Sequence, residues 1–215
     1  MSDVYKRFED FFNGVGRERL DGLDVSYFSK MTEDEKRKAF DKLKENYWDS
    51  TEAIKGLYLI NEDKALVLFV EYFTNIADNQ LFEYEVDRRD RMLAEILMLS
   101  YLYTASKDFN YILKILGYYN DQDEEVRDSA LYYTPNIVNK EIIDAVSKLI
   151  LEEDNKEVLA SAAIFFLELH GIDIDWNGDL SSIRALYMPL KNDDKEKRME
   201  AVTKISDDYP IIDQV

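Results

Sequence analysis

Cysteine and histidine, two residue types that serve in many catalytic and metal sites, are almost absent from this 215-residue chain. The sequence has no cysteine, which excludes disulfides, thiolate catalysis and cysteine-ligated metal sites. It has one histidine, His170, whereas a di-metal site in a helical bundle needs several histidine and carboxylate ligands and a serine nucleophile needs a dedicated base. Because His170 follows the apolar run 160–169, we expect it at a helix C-terminus in a structural role.

Carboxylates are the remaining candidates for chemistry. A glycosidase-like pair could be formed by Glu83 with Glu85 or by Glu152 with Asp154, but closeness in sequence does not place two carboxylates across a cleft. No glycine-rich phosphate-binding loop followed by Lys-Ser or Lys-Thr is present. We therefore predict no enzyme, no catalytic residues, no metal site and no cofactor. A carboxylate-based hydrolase is the one enzyme class that stays open.

The charge balance favours a protein partner. The chain carries 45 acidic and 27 basic residues, with a formal net charge of -18. Phosphate backbones and anionic lipid surfaces repel such a protein, so we expect no nucleic-acid and no membrane partner, whereas a basic protein would be attracted. The N-terminus has no apolar signal segment and no apolar run approaches the roughly 18 residues that span a bilayer, which predicts a cytoplasmic protein.

The elements that must position these side chains are helices. Only 7 Gly and 3 Pro interrupt the chain, too few for the turns of a multi-stranded sheet. Thr32 and Glu35 form a capping-box pattern before an apolar helical repeat over 33–48. Two helical runs with a two-residue break predict a helix hairpin over 49–73. The hydrophobic content is enough for one core, which predicts a single all-helical domain over 1–215.

The most regular pattern begins at Asp123 and recurs in weaker form at Asn155 and Asp194. Its consensus is Asp-x-x-Val-Arg-x-x-Ala, an N-cap followed by a helix whose Val and Ala face inward. Leu159 replaces the arginine at the second start, and Lys197 replaces the valine at the third. The matching residues are Val126, Arg127 and Ala130, then Val158 and Ala162, then Arg198 and Ala201.

This pattern resembles HEAT-like helical repeats, whose first helix often begins with an aspartate and carries a Val-Arg pair before a small residue. The match covers about 108–206, with second helices at 141–151 and 180–190. The resemblance implies an all-α fold, a right-handed α-solenoid of stacked antiparallel helix pairs whose second helices line a concave binding surface. The size, the acidity and the stretch 31–40 are also similar to immunity proteins of bacterial contact-dependent and polymorphic toxin systems.

Clusters of acids and tyrosines are the candidate binding residues. Acids precede each repeat start, partly because a carboxylate near a helix N-terminus is stabilising by about 0.3 to 1 kcal/mol. Stacked repeats would align these acids along one edge, where they could steer a basic partner. Exposed tyrosines beside carboxylates suit an interface that receives arginine and lysine, although core packing is the simpler role for any one tyrosine. The predicted partner-binding residues are Tyr118, Tyr119, Asp121, Asp123, Glu124, Glu125, Tyr132, Tyr133, Glu152, Glu153 and Asp154.

The charge, the resemblance and these clusters together predict a protein-binding immunity protein. It would neutralise a basic toxin, most concretely a nuclease, by covering the active site or the substrate-binding surface with carboxylates that mimic nucleic acid. The alternative is a HEAT-like scaffold or adaptor that joins cellular proteins without inhibiting them. A toxin gene immediately upstream would favour the first function.

Overall fold

The computed structural model of the protein describes residues 2–13, 22–45, 50–75, 88–172 and 180–210. Over these ranges the chain forms eleven α-helices and no strand, which confirms the prediction of an all-α fold. The chain divides into two compact units, Met1–Asp108 and Phe109–Val215. The single domain over 1–215 and the solenoid arrangement stay predictions. None of the described helices has both the length and the apolar content needed to cross a bilayer.

The first unit contains five α-helices and a short 3₁₀ helix, Val25–Tyr27, among its described residues. Its core is rich in aromatic side chains, since Phe8 contacts Phe28 and Phe11 contacts Tyr27 with ring centroids 5.8 and 5.5 Å apart. The helices are α1 Asp3–Asn13, α2 Glu33–Lys44, α3 Thr51–Ile60, α4 Glu62–Asn75 and α5 Arg88–Ser106.

The predicted capping box forms at the start of α2. The Thr32 hydroxyl accepts from the Glu35 amide, and the Glu35 carboxylate accepts from the amides of Thr32 and Ser2. These backbone hydrogen bonds, the one from Ser2 above all, lower the pKa of Glu35 to about 2. The helix itself ends at Lys44, and the end predicted at residue 48 lies outside the described residues.

The predicted hairpin is formed by α3 and α4, which pack against each other and are joined by Asn61 alone. The Asn61 side chain accepts from the Lys64 amide and so satisfies one of the free donors at the start of α4. α3 also packs on α2 and α5, and its Gly56 faces the core. A Cβ at Gly56 would lie 2.7 Å from Leu43 Cδ1 and 3.1 Å from Leu23 Cδ1.

We expect Gly56→Val to lower the free energy of unfolding by about 2 kcal/mol, because its side chain would overpack a buried helix contact. Gly117→Val is the matched control, since nothing lies within 4 Å of a Cβ at Gly117. Urea unfolding of both variants measures the difference. Equal effects of the two substitutions would contradict the close packing at Gly56.

The second unit contains six α-helices and the 3₁₀ helix Tyr118–Asn120 among its described residues. The three predicted helix starts are confirmed: Asp123, Asn155 and Asp194 are N-caps whose side chains accept from amides of the first turn. The helices are α6 Asn110–Gly117, α7 Glu124–Tyr133, α8 Lys140–Glu152, α9 Lys156–Leu169, α10 Leu180–Leu190 and α11 Lys195–Asp208.

The helices of the second unit pack as three hairpins: α6 with α7, α8 with α9 and α10 with α11. Each acidic loop is therefore the turn within a hairpin, between the capped helix and the helix before it. In the first two hairpins, α8 packs on α6 and α9 packs on α7, as stacked repeats require. In the third hairpin, the second helix α11 packs on the first helix α8, and the first helix α10 packs on the second helix α9. The order of the two helices is therefore reversed relative to the first two hairpins.

Candidate functional site

The loops that precede α7, α9 and α11 lie side by side, and we call residues 121–125, 152–155 and 193–194 the acidic edge. Between the first and second loops, the Asn155 side chain donates to the Glu124 carboxylate. Between the second and third, Lys195 Nζ lies 3.4 Å from Asp154 Oδ1 and Lys156 Nζ lies 3.7 Å from Asp193 Oδ1. Acids that are far apart in sequence therefore form one continuous edge.

Arg127 holds the first two loops together. Its Nε and Nη2 donate to the two carboxylate oxygens of Glu153 at 2.6 and 2.8 Å, and its Nη1 donates to the Asp121 carbonyl at 2.7 Å. The side chains of Arg127 and Glu153 are only 14% and 3% exposed. A two-pronged arginine–carboxylate pair of this kind fixes geometry as well as charge. The loops are thus positioned before any partner arrives.

The Glu153 carboxylate is the buried member of the acidic edge. Burial by itself would raise the pKa of Glu153, but hydrogen bonds from Arg127 and from the amides of Asn155 and Asp154 outweigh it. The pKa of Glu153 therefore lies below its ordinary value. Glu153 is ionised at neutral pH, and its negative charge is paired with Arg127 between the two loops.

Arg198 anchors the third hairpin to the same loop from α11. Its side chain is buried, and Nη1 donates to the carbonyls of Ile150 and Glu153 at 2.6 and 2.7 Å. Arg127 and Arg198 occupy the same position of the repeat pattern, four residues after the N-cap. The Val and Ala positions of the pattern face inward as predicted, since Val126, Ala130, Val158, Ala162 and Ala201 are buried. In addition, the two arginines tie neighbouring hairpins to the loop at residue 153.

Three acids of the acidic edge that do not pair with a buried arginine are exposed. Glu152, Asp154 and Asp193 have side chains that are 62%, 85% and 91% exposed, and none of them caps a helix. Including the first turns of the helices, residues 121–127, 152–157 and 193–196 contain eleven acidic and three basic residues. A groove of about 530 Å³ between the first two loops is lined by carboxylates of both loops together with Arg127 and Leu149. The acidic edge therefore presents a preformed negative surface.

The predicted partner-binding residues separate into two places. Those from Tyr118 to Glu125 and from Glu152 to Asp154 belong to the acidic edge or adjoin it, whereas Tyr132 and Tyr133 lie at the other end of α7. Two lysines that interleave with the acids, Lys156 and Lys195, are not among the predicted residues, although each directly follows one of the caps.

Two of the predicted contact residues are buried. Tyr119 is 4% exposed, and its hydroxyl donates to Thr134 Oγ1 at 2.8 Å. Burial raises the pKa of Tyr119 above its ordinary value. Glu153 is equally buried and is paired with Arg127. Both side chains serve the packing of the second unit, so they offer no polar surface to a partner.

His170 caps the C-terminus of α9, where the sequence predicted it. It is buried against Phe166, and its Nδ1 lies 2.8 Å from the Tyr209 carbonyl, which links α9 to the end of α11. Within the described ranges, no three acidic or histidine side chains are grouped so that they could hold a metal ion. The sole histidine thus has a packing role in the second unit.

Comparisons with family models, with curated proteins and with solved structures find no match to this chain.

Proposed function

We propose that this protein binds a basic protein through its acidic edge and, most concretely, neutralises a nuclease-type toxin made in the same cell. The observation that carries the proposal is the alignment of three acidic loops, in which the carboxylates of Glu152, Asp154 and Asp193 are exposed. Negative charges at fixed spacing attract the arginine and lysine side chains that a nuclease uses to bind phosphates. A protein bound there would have its substrate-binding surface covered.

The arrangement of the charges supports binding beyond the ordinary preference of acids for helix N-termini. Asp123 and Asp194 satisfy that preference, since they cap α7 and α11. Glu152 lies at the C-terminal end of α8, where a carboxylate is unfavourable for the helix dipole, and Asp154 follows it in the turn. Glu152 therefore adds negative potential that helix formation does not require, whereas Asp154, directly before the N-cap Asn155, also favours the start of α9.

The rigidity of the edge also supports the proposal. Arg127 and Arg198 hold the middle loop from both sides, so little conformational entropy is lost when a partner binds. The neighbouring lysines keep the loops from repelling one another, because Lys156 and Lys195 each lie near an acid of the adjacent loop. Their ion pairs are exposed and weak, so a partner's arginines can displace them.

The test is a pull-down from the native organism with the tagged protein at low and high salt. The edge variant Glu152→Gln/Asp154→Asn/Asp193→Asn removes three exposed charges without removing a helix cap. Its matched control, Glu33→Gln/Asp34→Asn/Glu71→Gln, removes three exposed charges in the first unit. We expect one basic protein on the wild type and on the control, with less at high salt, and about tenfold less of that protein on the edge variant.

The captured protein is then assayed for nuclease activity with and without the acidic protein. Loss of nuclease activity on binding, reversed with the edge variant, is the expected result. Equal capture by the edge variant and the control would place binding elsewhere on the molecule. Capture of several non-basic proteins would instead indicate an adaptor, and an active nuclease in the complex would contradict neutralisation.

A further inference from the structure

A second surface lies at the end of α7 that is remote from the acidic edge. It is a groove of about 540 Å³ between α7 and α9. One face of each helix forms a wall, because the lining residues recur at helical spacing on both. The residues that matter here are Asp128, Leu131, Tyr132, Ile164, Phe165 and Glu168.

Tyr132 is the most exposed of the large hydrophobic side chains in the described part of the chain, at 80%. The Tyr132 ring packs edge-to-face against the Tyr133 ring, at 89° with centroids 4.9 Å apart, and this contact holds Tyr132 on the wall of the groove. Phe165 and Ile164 line the opposite helix and are half-buried. The groove therefore offers a tyrosine ring and an aliphatic surface to the same ligand.

The charge of the groove is negative, since its described lining contains two acids and no basic residue. Asp128 and Glu168 are exposed, and neither makes an ion pair with a described residue. α7 and α9 run parallel, since their N-termini meet at the acidic edge, so both C-terminal ends point toward the groove. The last turn of neither helix carries a basic residue. Glu168 in the last turn of α9 thus adds to the negative end of the dipole, which disfavours the helix.

We propose that this groove binds a segment of a partner protein that presents an arginine or lysine side chain next to an apolar one. The cation would lie over the Tyr132 ring within reach of Asp128 and Glu168, because aromatic faces and carboxylates both attract a guanidinium or ammonium group. The apolar neighbour would pack on Ile164 and Phe165. Charge complementarity identifies this occupant, since an acidic segment would be repelled. The inference goes beyond the proposed function and does not depend on the acidic edge.

The experiment titrates the ¹⁵N-labelled full chain with the capped peptide Gly-Arg-Leu-Arg-Gly and with the same peptide carrying glutamine for arginine. We expect chemical-shift changes at amides of the C-terminal halves of α7 and α9 with the arginine peptide alone. Asp128→Asn/Glu168→Gln and, separately, Tyr132→Ala are expected to weaken binding about fivefold each. These side chains are exposed, so the variants keep the fold. Glu152→Gln/Asp154→Asn is the charge-matched control and should leave the affinity within about twofold.

Four outcomes would overturn the inference. They are equal binding of the two peptides, no shift changes at millimolar peptide, shift changes at the acidic edge with none at the groove, and an unchanged affinity of the groove variants. Movement of the groove amides with protein concentration in the absence of peptide would identify a second copy of this chain as the occupant instead. Each of these results leaves the pull-down with the edge variant unaffected, so the two proposals fail separately.

Discussion

Replacing Arg127 with methionine is expected to lower the free energy of unfolding by about 3 kcal/mol at pH 7, because it leaves the buried Glu153 carboxylate without its charged partner. Only the amides of Asp154 and Asn155 would still donate to that carboxylate among the contacts described above. Urea unfolding followed by circular dichroism measures the loss. Arg37→Met removes an exposed arginine and should change stability little.

The pH dependence distinguishes a lost ion pair from lost packing. In the wild type the pKa of Glu153 is lowered, so its stabilising contribution is present above the ordinary value of 4.5 and is lost as the pH falls through the folded value. In Arg127→Met, burial dominates and the pKa of Glu153 should rise above the ordinary value. The stability deficit of Arg127→Met relative to the wild type then becomes smaller as the pH falls toward 4.5. An equal deficit at pH 7 and near the ordinary pKa of Glu153 would show that packing alone was lost.

The double variant Arg127→Met/Glu153→Met gives a further check. Replacing both members of a buried ion pair by apolar side chains removes the unpaired charge, so the double variant should be more stable than Arg127→Met alone. A double variant at least as unstable as the single one would mean that the unpaired Glu153 charge is not the main cost of losing Arg127, and that the hydrogen bonds to the Asp121 carbonyl and from the amides of Asp154 and Asn155 matter more.

Arg198→Met is expected to destabilise the second unit by about 3 kcal/mol, because the carbonyls of Ile150 and Glu153 lose their buried donor. Amide hydrogen exchange should show faster opening of α10 and α11, which Arg198 ties to the end of α8. Arg184→Met is the matched control, since Arg184 is an exposed arginine of α10. Uniformly faster exchange throughout the second unit would contradict a local anchoring role.

The helix starts illustrate what a single sequence can predict. Thr32 with Glu35, Asp123, Asn155 and Asp194 all cap the helices predicted to follow them. Each cap is a hydrogen bond between a side chain and an amide two or three residues away, so the information is local. The helix C-terminus at His170 could be predicted for the same reason.

The candidate site was predictable in part. Aligned acidic loops follow from stacked hairpins, and the ion pairs and hydrogen bonds between neighbouring loops are present. The burial of Tyr119 could not be predicted, because Tyr118 and Tyr119 are adjacent tyrosines and only the packing partners decide which one faces inward. The predicted binding residues also lie at both ends of α7, which are separated by the 10 residues of that helix.

The helices, their caps and the acidic charge of the loops follow from the amino-acid sequence, because these depend on propensity, on hydrogen bonds within one turn and on composition. Which acids are exposed and which are buried in ion pairs depends on the tertiary structure. Glu153 is buried in an ion pair because Arg127, 26 residues away in sequence, donates to its carboxylate. Arg198 donates to the Ile150 carbonyl, 48 residues away. The reversed packing of the third hairpin also depends on contacts between residues far apart in sequence. Contacts over such separations depend on how the helices pack together, and a local pattern carries no record of that packing.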